Sequence, residues 1–240
     1  MNFFAEKIDE YISKSKPVLE GLSSIVFPQS LYCICCGNIV DDTRSYSVCD
    51  HCMERIRWNV DAPKLVDDMA VMKCVEYGIY ERSIIFALKY DGHRYIAREI
   101  GKMMADRLRA SGLSGAHIII PVPLHEDKQI ERGFNQTELI GKYLSEETGW
   151  DMVNALVRRR ATRAMRGLGP EERSKNVRGA MKLRKETIDL IRNKDIMLID
   201  DFYTTGSTAR ECKRALSLAE PKSISFLAFA GREWKEVAFK

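Results

Sequence analysis

At 240 residues the chain has room for one medium domain and a small attachment, or for two modest domains. Hydrophobic residues make up 45% and charged residues 30%, an ordinary globular balance that excludes disordered, collagenous and coiled-coil classes. The net charge of +4 conceals a basic segment: Arg158 to Lys185 holds eleven Lys/Arg against two Asp/Glu, a local +9 that leaves −5 for the remainder, and points to an anionic partner, either a phosphate-bearing small molecule or nucleic acid.

In chain order, residues 2–15 place Phe3, Phe4, Ile8, Tyr11 and Ile12 at helical intervals. They predict a short amphipathic helix docked on the protein's own body. Glu6, Asp9 and Glu10 sit where a secretory signal needs positive charge and then an apolar run. Apolar stretches such as Ile118 to Ile120 are far shorter than the roughly 20 residues of a membrane span. A cytoplasmic protein is expected. A cysteine-rich stretch, 33–52, comes next. Beyond Pro63 the pattern alternates: a strand over 71–80, helices over 81–90 and 95–110, a strand over 116–121, a helix over 137–147 capped by Gly149, and a strand over 151–157. Residues 160–180 show no periodicity. A buried strand over 196–199, a helix over 208–219 and a strand over 224–230 complete the pattern. Strands alternating with helices predict an α/β domain with a mainly parallel sheet flanked by helices.

Cys33, Cys36, Cys49 and Cys52 form a CxxC, twelve residues, CxxC pattern. Two residues between thiolates let one tight turn present both sulfurs to one ion, and Gly37 supplies backbone freedom for such a turn. Two such turns close a four-sulfur shell that favours zinc over iron and leaves no open position, so the metal role is structural. Cys35 is an alternative to a neighbouring ligand, and His51 a weaker one; buried or redox-active thiols are the competing reading. Cys74 and Cys212 are isolated and read as small core residues.

The segment Ile196 to Thr208, IMLIDDFYTTGST, runs strand, two carboxylates, small-hydroxyl loop, helix. Thr204, Thr205, Ser207 and Thr208 offer hydroxyls, Gly206 permits close approach, and the positive end of the following helix suits a phosphate. Asp200 and Asp201 can accept hydrogen bonds from a vicinal diol such as that of a ribose. No Walker or GxGxxG string occurs.

LIDDFYTTGSTA resembles the signature by which type I phosphoribosyltransferases bind 5-phosphoribosyl 1-diphosphate (PRPP). LKYDGHR (88–94), PVPLHEDKQIERGFNQTELIG (121–141), ERSKNVRGAMKL (172–183) and the four-cysteine module resemble the ComF family, over about residues 31–232. The resemblance implies a type I phosphoribosyltransferase-like sheet with a small N-terminal zinc-binding module: a helical segment over 1–29, the module over 30–58 and the main domain over 59–240. It implies that Asp200 and Asp201 hold the ribose, Thr204 to Thr208 the 5-phosphate, and Pro121 to Leu124 the diphosphate side. Arg132, Asn135 and Gln136 of RGFNQ fall on the substrate side, as does Lys89, for which a surface position is an equal alternative. Residues 158–178 correspond to a hood that closes over PRPP, with Arg173 the foremost catalytic cation beside Asp200 and Asp201, and Arg160 next. Met165 stands where many family members carry glutamine. Magnesium is implied as a companion of PRPP. Three functions compete: transfer of phosphoribose to a nitrogenous acceptor; handling of single-stranded DNA in natural transformation, beside competence helicase-type proteins; and PRPP sensing. The scarcity of aromatics among the arginines weakens a base-stacking platform.

Overall fold

The computed structural model describes residues 31–232, apart from 42, 91, 114, 116 and 161–168. The amphipathic segment at 2–15 and the Met165 departure lie outside the described residues. The elements run α1 (Asp50–Met53), β1 (Lys64–Val66), β2 (Met69–Glu76), α2 (Ile79–Tyr90), α3 (Ile96–Ala110), β3 (Ile118–Pro121), α4 (Glu126–Arg132), α5 (Gln136–Thr148), β4 (Leu156–Arg158), α6 (Pro170–Val177), β5 (Met181–Leu183), α7 (Ile188–Ile191), β6 (Asp195–Tyr203), α8 (Ser207–Leu216) and β7 (Ser223–Gly231).

The main sheet has the order β1-β2-β7-β6-β3. β2, β7, β6 and β3 are parallel neighbours, and β1 adds to β2 antiparallel. Both faces are covered, so the central strands read as unbroken apolar runs. On β6, Met197 and Ile199 face a core built from α2, α3, α5 and the cysteine module; Ile196 and Leu198 face a second core with α8, α7, β4 and β5. On β7, Leu227 and Phe229 join the first core, Phe226 and Ala228 the second. Cys74 and Cys212 are fully buried core thiols, as expected.

Three differences from the sequence reading have local causes. The first strand ends at Glu76, where the chain turns through Tyr77 and Gly78 into α2. The strand expected over 151–157 divides: Met152 bridges Ile119 beside β3, and only Leu156–Arg158 forms β4, paired antiparallel with β5 in a separate ribbon. The stretch without periodicity contains α6, which opens at Pro170 with Glu171 and Glu172 in its first turn, a favourable start for a helix.

Candidate functional site

β6 carries Asp200 and Asp201 to its C-terminal end, where ligands bind in open parallel sheets. The loop that follows turns into α8 at Gly206, whose φ of 74° is left-handed and whose added Cβ would lie 2.6 Å from the Tyr203 Oη. Only glycine fits that turn without displacement. The Thr205 and Ser207 hydroxyls hydrogen-bond each other at 2.8 Å. Asp200, Asp201, Thr204, Thr205, Ser207 and Thr208 line one cleft of about 510 Å³.

Its other walls come from segments far apart in sequence. Lys89, at the end of α2, forms an ion pair with Asp201. Val122, Pro123 and Leu124 follow β3 into the cleft, and Arg132 and Gln136 join from the end of α4 and the start of α5. Arg158 of β4 and Arg173 of α6 close the far side. Arg173 is 8% exposed, and its Nε is buried without a hydrogen-bond partner among the described residues. Arg158, Tyr90, Phe202 and Lys128 also line the cleft and were not singled out in the sequence. For Arg158 the signal was its place at the start of the basic run; for the others there was none.

The two adjacent carboxylates differ. Burial, and then the neighbouring charge of Asp201, push the Asp200 carboxyl well above its usual range. Burial also raises Asp201, but Lys89, the Asp200 hydrogen bond and Arg132 outweigh it and hold that carboxyl low. A single proton on Asp200 thus relieves the repulsion between the pair. Burial likewise lowers the Arg158 guanidinium against the attraction of Asp200.

The RGFNQ segment locks the cleft wall. Arg132 donates to the Gln136 side chain and lies over the Tyr90 ring, 5.5 Å from its centroid. Gly133 ends α4 at a φ of 79°. Phe134 lies under Arg94, 4.8 Å from the guanidinium. Asn135 caps α5 by accepting from Thr137 N, and its amide reaches the Val122 carbonyl at 3.4 Å. LKYDGHR and RGFNQ are therefore two halves of one interlock. Asn135 supports the wall from behind and does not line the cleft. Arg160 is likewise outside it, donating to the carbonyls of Asn176 and Arg178 at the C-terminal end of α6.

Cys33, Cys36, Cys49 and Cys52 converge, with all four sulfurs within 4.8 Å of one another. Cys36 Sγ and Cys49 Sγ are 3.7 Å apart. Zinc–sulfur bonds of about 2.3 Å give a tetrahedron with edges of about 3.8 Å, so the donor set is compatible with one zinc ion. Cys35 and His51 are not members of the group. Burial pushes the Cys33 thiol up, but the amides of Cys49, Cys35 and Cys36 bring it down to about 7, whereas burial keeps Cys35 high. Among the described residues no helix is long and apolar enough to cross a membrane.

No family model matches the chain. Competence protein F of Haemophilus influenzae is 27% identical over 191 residues, spanning 75% of this chain and 83% of that protein. The DNA utilization protein YhgH of Shigella flexneri is 30% identical over 139 residues, covering 55% of this chain and 59% of that relative, so the match leaves two fifths of it unspanned. Among solved structures, glutamine phosphoribosylpyrophosphate amidotransferase from B. subtilis is similar over 55% of this chain and 25% of its own, at 18% identity and a TM-score of 0.37.

Proposed function

We infer that this chain, a member of the ComF family, binds PRPP in the cleft at the end of β6 and transfers its phosphoribosyl group to a nitrogenous acceptor. One observation carries the reading. The buried guanidinium of Arg173, its Nε without a partner among the described residues, lines the same cleft as the paired aspartates and the hydroxyl-rich loop at the start of α8. A neutral ligand would leave that cation uncompensated, whereas a diphosphate next to a ribose 5-phosphate supplies acceptors for every part of the wall.

In this reading the loop from Thr204 to Thr208 takes the 5-phosphate, and Asp200 and Asp201 accept from the ribose hydroxyls. Arg173, Arg158 and Lys89 face the diphosphate. The bond from the anomeric carbon to the diphosphate oxygen breaks, and its electron pair leaves with pyrophosphate. The acceptor nitrogen forms the new bond to that carbon and loses its proton to the departing pyrophosphate or to water. Cations fixed before the reaction stabilise the charge that gathers on the leaving group. Lys89 exchanges Asp201 for the diphosphate as the ribose arrives. Magnesium would enter with the substrate and would supply neutralisation of the diphosphate charge. The four cysteines are read as a closed structural zinc site.

The test is thermal unfolding with PRPP and magnesium. Ligand at about 100 times its Kd adds about 2.7 kcal/mol, or about 5–11 °C for a chain of this length. The Asp200→Asn, Asp201→Asn double variant is expected to fold and to lose that shift; a retained shift removes the site assignment. Magnesium-dependent pyrophosphate release in the presence of purines, pyrimidines and amines then tests transfer itself. A second reading, contact with single-stranded DNA, is favoured by one observation: Arg159, Arg160, Lys182, Arg184 and Lys185 are exposed on and beside the β4–β5 ribbon, outside the cleft. It requires affinity for oligothymidylate that falls steeply with salt, without pyrophosphate release.

A further inference from the structure

We propose that Arg210, anchored by Asp67 in the turn between β1 and β2, is the positioning residue that keeps the loop after β6 in its phosphate-accepting form; the inference rests on the reading of that loop as the 5-phosphate site. Arg210 Nη2 donates to the Thr205 carbonyl at 2.7 Å, and Arg210 N donates to the Gly206 carbonyl at 2.8 Å. Its Nη1 is 3.3 Å from Asp67 Oδ2. Lys213, one turn on, donates to the Asp67 main-chain carbonyl. Asp67 and Asp68 are both left-handed, at φ 50° and 55°, in the two-residue hairpin that presents them. An edge hairpin and a central loop, remote in sequence, thus meet through one guanidinium.

The consequence follows from peptide geometry. A trans peptide is planar, so the Gly206 N–H points away from the side to which the Thr205 carbonyl points. Arg210 draws that carbonyl toward itself and fixes the N–H on the opposite side. A phosphate needs the N–H; a flipped peptide would present it with a carbonyl oxygen instead. Gly206 is the residue that makes such a flip accessible, because glycine populates positive and negative φ about equally. The same glycine that lets the chain turn into α8 therefore needs an external hold, and the guanidinium lies where it can supply one, 3.2 Å from the position of a Gly206 Cβ. The Arg210 and Asp67 side chains are 41% and 55% exposed, so their ion pair adds little to stability. The cost of losing it is expected in affinity.

The experiment measures ribose 5-phosphate binding by calorimetry on the full chain, together with Tm and the Gly206 amide signal by NMR. Arg210→Met is expected to weaken binding about tenfold, the loss of one charge-assisted hydrogen bond, with Tm moved by no more than about 2–3 °C and the Gly206 amide shifted. Arg210→Lys, which keeps a donor for the carbonyl, is expected to stay within about threefold of the parent, and Asp67→Ala to fall between the two. Parent-like binding by Arg210→Met, with the parent itself binding, overturns the positioning role and leaves the phosphate site standing. No binding by the parent chain overturns the site, and the positioning role with it. A loss of affinity matched by a large loss of Tm overturns positioning in favour of a contribution to the fold.

Discussion

Two neighbouring and isosteric substitutions, Asp200→Asn and Asp201→Asn, are expected to move the stability of the ligand-free protein in opposite directions. Asp201 is paired with Lys89, whose side chain is 20% exposed against 6% for the aspartate. Removing one partner of a buried pair costs about 3–5 kcal/mol when the other is left without compensation. Lys89 is partly solvated, and Asp200 stands ready to ionise beside it. The expected cost of Asp201→Asn is therefore lower, about 2 kcal/mol, which lowers Tm by about 4–8 °C. Asp200 behaves in the reverse sense. Its carboxyl titrates higher in the folded chain than in the unfolded one, so its favourable contribution is complete below the unfolded value near pH 4 and is lost as pH rises through the folded value. Asparagine cannot ionise and suffers no such loss. Asp200→Asn is expected to match the parent below about pH 4 and to exceed it increasingly as pH rises above that value. Scanning calorimetry of the two variants and the parent, without ligand, decides the matter. A Tm that falls for Asp200→Asn and holds for Asp201→Asn places the proton on the other carboxyl and refutes the argument.

Three further outcomes are expected. Arg173→Met removes a buried guanidinium whose Nε lacks a partner among the described residues, so the ligand-free protein is expected to keep its Tm while PRPP affinity falls about tenfold or more in a thermal-shift titration; unchanged affinity removes Arg173 from the diphosphate wall. Gly206→Ala puts a side chain into a left-handed turn against Tyr203, costing at least about 1–2 kcal/mol, or about 2–8 °C in Tm, and reducing the shift with PRPP; a neutral substitution means the turn is not held as described. Elemental analysis is expected to find one zinc per chain, lost in Cys49→Ser and kept in Cys35→Ser; the opposite result exchanges the two ligands.

The cleft was legible in part because one of its walls is contiguous in the chain. A strand, two carboxylates, a hydroxyl-rich loop and a helix start all lie between Ile196 and Thr208, and each carries its own local signal. The same holds for the four cysteines, whose spacing encodes the two turns that bring them together. What escaped was assembled across the fold. Arg158 enters the cleft because β4 pairs with β5 in a ribbon apart from the main sheet, and three-residue strands carry too little pattern to announce that. α4 was missed because none of its residues is buried, so it has no apolar face to read. The family resemblance put Asn135 on the substrate side and Arg160 among the cations of the hood. Their side chains instead satisfy backbone groups, Asn135 at the start of α5 and Arg160 at the C-terminal end of α6, a use of polar residues that motif spacing does not distinguish from ligand contact.

The cysteine module and the cleft are joined by one helix. α2 begins beneath the module, where Arg57 N donates to Glu81 at 3.0 Å and the Arg57 guanidinium donates to the Tyr77 carbonyl at 2.7 Å. α3 is tied to the same module, with Ser47 N donating to Glu99 at 2.9 Å and Tyr46 to Asp106 at 2.5 Å. Ile84, Ile85 and Leu88 then pack in the core that contains Cys33, Val48, Cys52 and Ile56. The residue after Leu88 is Lys89, the partner of Asp201. A module of this size cannot bury enough apolar surface to hold its own shape, which is why a closed metal shell suits it. Once docked, it shares one apolar core with Ile84, Ile85 and Leu88 of α2. Lys89 is thus paired with Asp201 at the cleft end of α2, while the first turn of the same helix is tied to the cysteine module.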